Sequence, residues 1–359
     1  MLPAIVSILL LGLLIIVHEL GHYLVARLAG VRILRFSIGF GPRLLAWTRG
    51  HTEYAISAIP LGGYVKMAGE QDGEATDAPW EYRSKSPGVR AGIIVAGPFV
   101  NYVVACLSLW TVFLVGFPEL LPVVGKVVEQ MPAQAAGVQV GDRIVAINGE
   151  PVPTWEAMTK RIYVSAGTPL QMQFERNGKL RNVRLTPQAK PTKDPFGRSK
   201  TIGLVGISPS GEFRATRVGP VAALGRTIHQ LNEWTAQTLL SFVSLLTGRM
   251  SLHDSVTGPI GIIYLTAEAV KMGIAPLLFL ISLFSLSLAI FNLFPIPILD
   301  GGHLLFLTIE KLRGKPVSLN VQERSAQVSF VFLVVLVLMI CINDVNRFGL
   351  VEKITNWIK

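Results

Sequence analysis

Four long apolar stretches dominate the hydropathy pattern of this chain, at about residues 2–26, 92–116, 277–298 and 327–342. An α-helix of about 20 apolar residues crosses the hydrocarbon core of a bilayer. The pattern therefore predicts a polytopic α-helical membrane protein with about four transmembrane helices. The composition agrees, because 50% of the residues are hydrophobic, 16% are charged, and the mean hydropathy is +0.49.

Basic residues are concentrated in two of the segments that connect these stretches. The segment 27–91 contains Arg27, Arg32, Arg35, Arg43, Arg49, Lys66, Arg83, Lys85 and Arg90, and the segment 310–326 contains Lys311, Arg313, Lys315 and Arg324. Since Lys and Arg mark cytoplasmic loops, both segments are expected in the cytoplasm, and residues 117–276 and both termini outside. The excess of Lys and Arg in cytoplasmic loops explains the net charge of +10. No run of basic residues is interleaved with aromatic residues, so the charge does not indicate nucleic-acid binding.

The external segment begins with the pattern of a small α+β domain, at about 120–210. A strand is predicted at 123–129, a helix at Trp155–Val164, and a hairpin from 170–176 and 180–186 around Asn177-Gly178. Residues 190–200 are rich in Lys, Pro and Gly and are predicted as a loop.

The sequence Gly141-Asp142-Arg143-Ile144 followed by Asn148-Gly149, in this order of elements, resembles a bacterial PDZ domain. The resemblance implies one external PDZ-like domain that binds a peptide or protein ligand. Another small α+β domain is the alternative.

Two further segments carry weaker patterns. Apolar residues recur at near-helical spacing over 220–246, interrupted by His229, Asn232 and Glu233, which predicts an amphipathic helix on the membrane surface. A fifth transmembrane helix is the alternative. Residues 56–66 are predicted to form strands bent at Pro60 and the Gly62-Gly63 pair, giving a cytoplasm-facing β-hairpin region.

The first apolar stretch contains the polar motif His18-Glu19-Leu20-Gly21-His22. Ionisable residues are costly inside a membrane helix and by default mark a functional site. The spacing places both imidazoles on one helical face, one turn apart, as in half of a zinc site with Glu19 as general base. A polar cluster that merely packs inside a helix bundle is the alternative.

A third ligand is expected at the end of the third apolar stretch. Pro295 and Pro297 should break that helix, and Asp300 follows directly. At 1.5 Å per residue, His18 and His22 lie about 7–14 Å below the cytoplasmic end of the first helix, and Asp300 up to about 15 Å below the same face. The groups can therefore meet, although Asp300-Gly301-Gly302 could instead be a helix stop.

The two motifs together, His-Glu-x-x-His and Asn-x-x-Pro-x-Pro-x-x-Asp-Gly, resemble those of the site-2 protease family of intramembrane metalloproteases. The resemblance implies zinc ligands at His18, His22 and Asp300, with Glu19 as general base. Asn292 would contact the substrate backbone or the oxyanion. His303 is expected to pack nearby without being a ligand.

Gly97 and Asn101 match the Gly-x-x-x-Asn motif of that family in the second helix. Gly97 would permit a close approach of helices, and Asn101 could form a hydrogen bond between them. The chain departs from the enterobacterial members in having length for one PDZ domain where they have two.

The resemblance also implies a function. The expected enzyme is an intramembrane zinc endopeptidase of the bacterial cytoplasmic (inner) membrane. It would cleave single-span membrane proteins, such as an anti-sigma factor already trimmed outside, or remnant signal peptides. The alternative is a membrane PDZ scaffold or a transporter without peptidase activity.

A substrate helix must unwind before its peptide bonds can be cleaved. An exposed strand edge formed by Leu61, Gly62, Gly63, Tyr64 and Val65 could add the unwound segment as a further strand. An ordinary re-entrant hairpin that covers the site is the alternative.

Four regions result from these predictions. Residues 1–116 hold the first two membrane helices and the β segment, 117–210 the PDZ-like domain, 211–276 the amphipathic helix and a linker, and 277–359 the last two membrane helices and an external tail.

Overall fold

A computed structural model describes residues 2–70, 76, 78–193, 198–250 and 257–347. The C-terminal tail after residue 347 lies outside the described residues. The helices are α1 Leu2–Leu28, α2 Pro87–Val115, α3 Pro132–Ala135, α4 Trp155–Val164, α5 Pro220–Leu246, α6 Pro259–Met272, α7 Ile274–Asn292, α8 Asp300–Arg313 and α9 Leu319–Arg347. Two compact units result: the described residues of 1–111, 224–238 and 252–359 form one, and those of 112–223 and 239–251 form the other.

Four of the described helices are long and apolar enough to cross a membrane: Pro3–Leu28, Pro87–Val115, Ile274–Asn292 and Leu319–Val345. This confirms the number of spans and their approximate positions. The third helix, however, ends at Asn292 and not near residue 298. Pro295 and Pro297 cannot donate the backbone hydrogen bonds that would continue it, so the chain turns before α8 begins.

The β segment between α1 and α2 consists of β1 Ile33–Arg49 and β2 Thr52–Met67. Ser37 in β1 pairs with Tyr64 on one side and with Ala55 on the other. The bend predicted near Pro60 is present, and Gly62 there has φ +115, a conformation that favours glycine. Residues 63–67 pair with β1 on one side only, so their other side is a sheet edge among the described residues.

The second unit contains the remaining strands: β3 Phe117–Leu120, β4 Val124–Val127, β5 Arg143–Ile147, β6 Glu150–Pro151, β7 Leu170–Arg176, β8 Lys179–Leu185, β9 Gln188–Lys193, β10 Ser199–Leu204, β11 Ile207–Pro209 and β12 Phe213–Thr216. Four of them form an antiparallel sheet in the order β6-β5-β7-β8. Its core includes Ile144, Met158, Met172 and Phe174, which are almost completely buried.

The local predictions for this unit are mostly confirmed. Helix α4 has the expected bounds, and the Thr154 side chain caps it by accepting a hydrogen bond from the Ala157 N–H. The β7–β8 turn has positive φ at both Asn177 (51) and Gly178 (72), as a two-residue type I′ hairpin requires.

The prediction of a loop at 190–200 was wrong. Strands β9 and β10 pair there from Gln188↔Leu204 to Lys193↔Ser199, and residues 194–197 lie outside the described residues. Pro191 lacks an N–H, but this is tolerated in a two-stranded ladder, where each strand has one unpaired side. The Lys-, Pro- and Gly-rich composition suggested a loop, because composition carries no information about the hydrogen bonds that a strand forms with its neighbour.

Residues 220–246 form one continuous helix, α5. Pro220 occupies its first turn, where a missing N–H costs nothing. Its exposed apolar side chains include Val221, Leu224 and Leu246. The position of this helix relative to a membrane stays a prediction.

The first turn of α6 is capped from another helix. Asp344, near the end of α9, is fully buried and accepts hydrogen bonds from the N–H groups of Gly258 (3.1 Å) and Gly261 (3.0 Å). These are the N-cap and N3 positions, which a capping box normally satisfies with side chains of its own helix. Neither glycine has such a side chain, so Asp344 supplies both acceptors.

Replacing Asp344 with Ala should lower the free energy of unfolding by about 1.5–3 kcal/mol, because two buried donors lose a charged acceptor. Asp344→Asn keeps one acceptor oxygen and should fall between Ala and wild type. The measurement is the unfolding transition of the purified protein in detergent. An unchanged transition in Asp344→Ala would contradict the capping role.

Candidate metal centre

Helices α1 and α2 approach each other closely where each has a glycine. A methyl group at Gly21 would overlap the backbone of Ala96 and Gly97, and one at Gly97 would overlap the rings of His18 and His22. Glycine at both positions therefore lets the α2 backbone lie directly against the imidazoles. The backbone of α2 therefore packs directly against the His-Glu-x-x-His motif of α1.

His18, His22 and Asp300 converge on one point. The Nε2 atoms of the two histidines are 3.1 Å apart, and they lie 3.0 Å and 3.5 Å from the Asp300 carboxylate oxygens. Both histidines are buried, and the Asp300 side chain is 16% exposed. The group predicted from two separate motifs is thus brought together.

Asp300 reaches the histidines because α8 begins at that residue. The chain turns through residues 293–299, and methyl groups at Gly301 and Gly302 would overlap the backbone of Leu293, Phe294 and Ile296. The Asp-Gly-Gly sequence therefore starts a helix, and the helix-stop alternative was wrong. A carboxylate in the first turn is also favoured by the helix dipole.

The donor set fits a metal ion. A metal ion can be shared by His, Cys, Asp or Glu side chains whose ligand atoms lie close together. Among the described residues, His18, His22 and Asp300 form such a group, with ligand atoms all within 4.8 Å of one another. The Oδ2 atom of Asp300 is buried and has no hydrogen-bond partner. Such an oxygen, 3.0 Å from the Nε2 atom of His18, is costly unless a cation lies between them.

The proton on His22 is also placed for metal binding. Its Nδ1 atom is 2.9 Å from the Ile93 carbonyl oxygen, which can only accept. In the neutral imidazole, Nδ1 therefore carries the proton and Nε2 presents a lone pair to the centre. The metal-binding tautomer is thus set by the α2 backbone.

Glu19 is half-buried beside this group. Its carboxylate lines the same cavity as His18, His22 and Asp300. The Val65 N–H interacts with this carboxylate. At Val65, the strand edge predicted to receive a substrate segment therefore lies next to Glu19.

The cavity has a volume of about 570 Å³. Asn292 and His303 line it, and His303 is exposed and does not belong to the ligand group. Of the five predicted edge residues, Val65 is the one that lines the cavity. Leu61, Gly62, Gly63 and Tyr64 continue the strand away from it.

The cavity wall also contains polar side chains that the sequence analysis did not assign to the site. Arg90 in α2 and Glu310 in α8 form an ion pair at the cavity wall. Burial raises the pKa of the Tyr82 hydroxyl above its ordinary value, so it remains a donor at neutral pH. The available signal was the opposite charges of Arg90 and Glu310, which lie in the two segments predicted to be cytoplasmic.

Gly97→Ala should sharply reduce the bound metal, because the added methyl group pushes on both imidazole rings. Gly92→Ala is the matched control, since a methyl group at Gly92 in the same helix meets no atom within 4 Å. Metal content per purified chain is the measurement. Equal metal in the two variants would show that the ring contact at Gly97 is not needed.

Comparisons with known proteins agree with this geometry. Residues 6–336 match the peptidase family M50. The chain is 37% identical to a zinc metalloprotease homologue of Rhizobium meliloti over 354 residues, covering 94% of each chain. It is 31% identical to the zinc metalloprotease RasP of Geobacillus kaustophilus, covering 96% of this chain and 97% of RasP.

The regulator of sigma-E protease RseP of Escherichia coli is also 31% identical, with 94% of this chain and 97% of RseP covered. Such matches along most of the chain leave the scaffold and transporter alternatives without support. Together with the four apolar helices, they establish that this chain is a multi-pass membrane zinc metallopeptidase and belongs to peptidase family M50, the site-2 protease family.

Proposed function

We propose that this protein is an intramembrane zinc endopeptidase that cleaves single-span membrane proteins within the bilayer. The observation that carries the proposal is the convergence of His18, His22 and Asp300 beside Glu19, in a helix whose preceding residues 2–17 carry no charge. Polar groups at such depth are retained where they serve a function. The metal ligands would be these two histidines and the aspartate.

A bound zinc ion would polarise the scissile carbonyl and lower the pKa of an attacking water. Glu19 would accept the proton of that water and return it to the leaving amine. Its half-buried position, in the same cavity as the ligands, suits both transfers. Asn292, at the end of α7 and on the cavity wall, would donate its amide N–H to the substrate backbone or the oxyanion.

The substrate segment would be held as an extended strand. Residues 63–67 have one unpaired side, and the outward Val65 N–H points towards Glu19. A strand added along Leu61, Gly62, Gly63, Tyr64 and Val65 would therefore run past the general base. Strand addition also keeps the substrate backbone out of a helix, which exposes its carbonyls to attack.

The substrate class follows from the apolar surroundings and from the relatives. A single-span protein already trimmed outside, such as an anti-sigma factor, is the first candidate, and remnant signal peptides are the second. The name of the Escherichia coli relative, a regulator of sigma-E protease, supports the first. The setting would be the bacterial inner membrane, with the zinc site towards the cytoplasm and both termini outside.

Residues 117–210 would form an external PDZ-like domain. Its strand and helix order, with α4 and the β7–β8 hairpin at the expected positions, supports this assignment. It would bind a peptide or protein ligand and control the access of substrates. It would take no part in the chemistry.

Glu19→Gln should abolish cleavage while zinc stays bound, because an amide cannot accept the proton of water. A loss of roughly 10²–10⁴-fold is expected. Substrates would be found by mass spectrometry of membrane peptides from cells expressing wild type or Glu19→Gln, and then assayed as tagged single-span reporters. His22→Phe is the control that should lose both zinc and cleavage. Activity of Glu19→Gln within about tenfold of wild type would exclude the general-base role.

Val65→Pro should cut activity sharply without loss of zinc, because proline removes a donor from the strand edge. Val65→Thr keeps the donor and the β-branched shape and should be mild. Weaker substrate binding predicts a raised KM. A lowered kcat at unchanged KM would instead assign the effect to the contact with Glu19, and equal damage from Val65→Thr would assign it to side-chain packing.

A further inference from the structure

A buried polar side chain of α2, Asn101, lies next to the Nδ1 atom of His18. Asn101 is completely buried, and its Nδ2 atom lies 3.5 Å from His18 Nδ1. Its Oδ1 atom is buried without a hydrogen-bond partner. The backbone carbonyl of Asn101, in contrast, has a partner: it accepts a hydrogen bond of 2.8 Å from the Ser285 hydroxyl of α7.

The two nitrogens of His18 therefore face different groups. Nε2 faces the ligand cluster, 3.0 Å from Asp300 Oδ2 and 3.1 Å from His22 Nε2. To bind a cation there, Nε2 must present a lone pair, so the proton of the neutral ring must lie on Nδ1. The Nδ1–H group then needs an acceptor in a place that water does not reach.

Asn101 can supply that acceptor in only one orientation. The amide nitrogen is a donor and would oppose the Nδ1–H, whereas the carbonyl oxygen accepts it. The two orientations of a carboxamide have nearly the same shape, so exchanging them requires no change in packing. With Oδ1 towards His18, the ring is held in the metal-binding tautomer.

We propose that Asn101 is a positioning residue that fixes the tautomer of His18 by accepting a hydrogen bond from its Nδ1–H through Oδ1. The Ile93 carbonyl does the same for His22. Ile93, Gly97 and Asn101 are spaced four residues apart on one face of α2, so one helix face orients both histidines. This role rests on the proposed zinc site.

The test is the zinc affinity of the purified full-length protein in detergent, measured by competition with a chromophoric chelator. Asn101→Leu removes the acceptor with little change in size and should weaken zinc binding about 10–100-fold. Asn101→Asp retains an acceptor but cannot donate, so it should bind zinc within about threefold of wild type or more tightly. Affinity needs no substrate, so the result does not depend on activity.

Ser285→Ala is the matched control for packing, because it removes the interhelical bond to the Asn101 carbonyl and leaves the side chain unchanged. It should bind zinc as wild type does. Asn101→Leu binding within threefold of wild type would overturn the proposal, and so would a loss in Asn101→Asp as large as in Asn101→Leu. A similar loss in Ser285→Ala would assign the effect to helix packing and also overturn it.

If Asn101→Leu does not fold, the comparison of Asn101→Asp with wild type decides alone. Tight binding by Asp supports an acceptor role, and weak binding excludes it. Failure of the zinc site itself would look different: wild type would then bind no zinc, and His22→Phe would be indistinguishable from it.

Discussion

The close contact between the backbones of α1 and α2 at Gly21 and Gly97 is the constraint on which the rest of the site depends. Imidazoles and a carboxylate inside an apolar helix are stable only if every buried polar atom has a partner. The contact brings the Ile93 carbonyl and the Asn101 side chain to the two histidines. Glycine is needed at both positions, because a side chain at residue 97 would overlap the imidazole rings and one at residue 21 would overlap the α2 backbone.

The three residues proposed as metal ligands come from two kinds of chain geometry. His18 and His22 share a face because the helix repeats every 3.6 residues, which is a regular property that a sequence displays directly. Asp300 is placed by an interruption, since two prolines end α7 and two glycines let α8 start against the turn. The regular helix α1 thus positions two of the three side chains, and the irregular turn between α7 and α8 positions the third.

The same distinction explains how much could be predicted from the sequence. Side-chain patterns predicted four membrane helices, helix α4, the Asn177-Gly178 turn and the three residues that converge as a candidate metal site. The Ile93 carbonyl and the Val65 N–H could not be predicted, because every residue has these groups and tertiary packing alone selects them. The β9–β10 ladder was missed for a related reason: pairing, and not the Lys- and Pro-rich composition, holds it extended.

The distribution of the ligands along the chain also determines when the site can exist. His18, Glu19 and His22 belong to α1, whereas Asp300 belongs to α8, which is made after three of the four helices that are long and apolar enough to cross a membrane. A nascent chain that has reached only α7 carries the proposed base Glu19 and the two imidazoles but lacks Asp300. The set of side chains proposed to bind zinc is therefore complete once α8 has been made, before the last of these apolar helices, α9, follows.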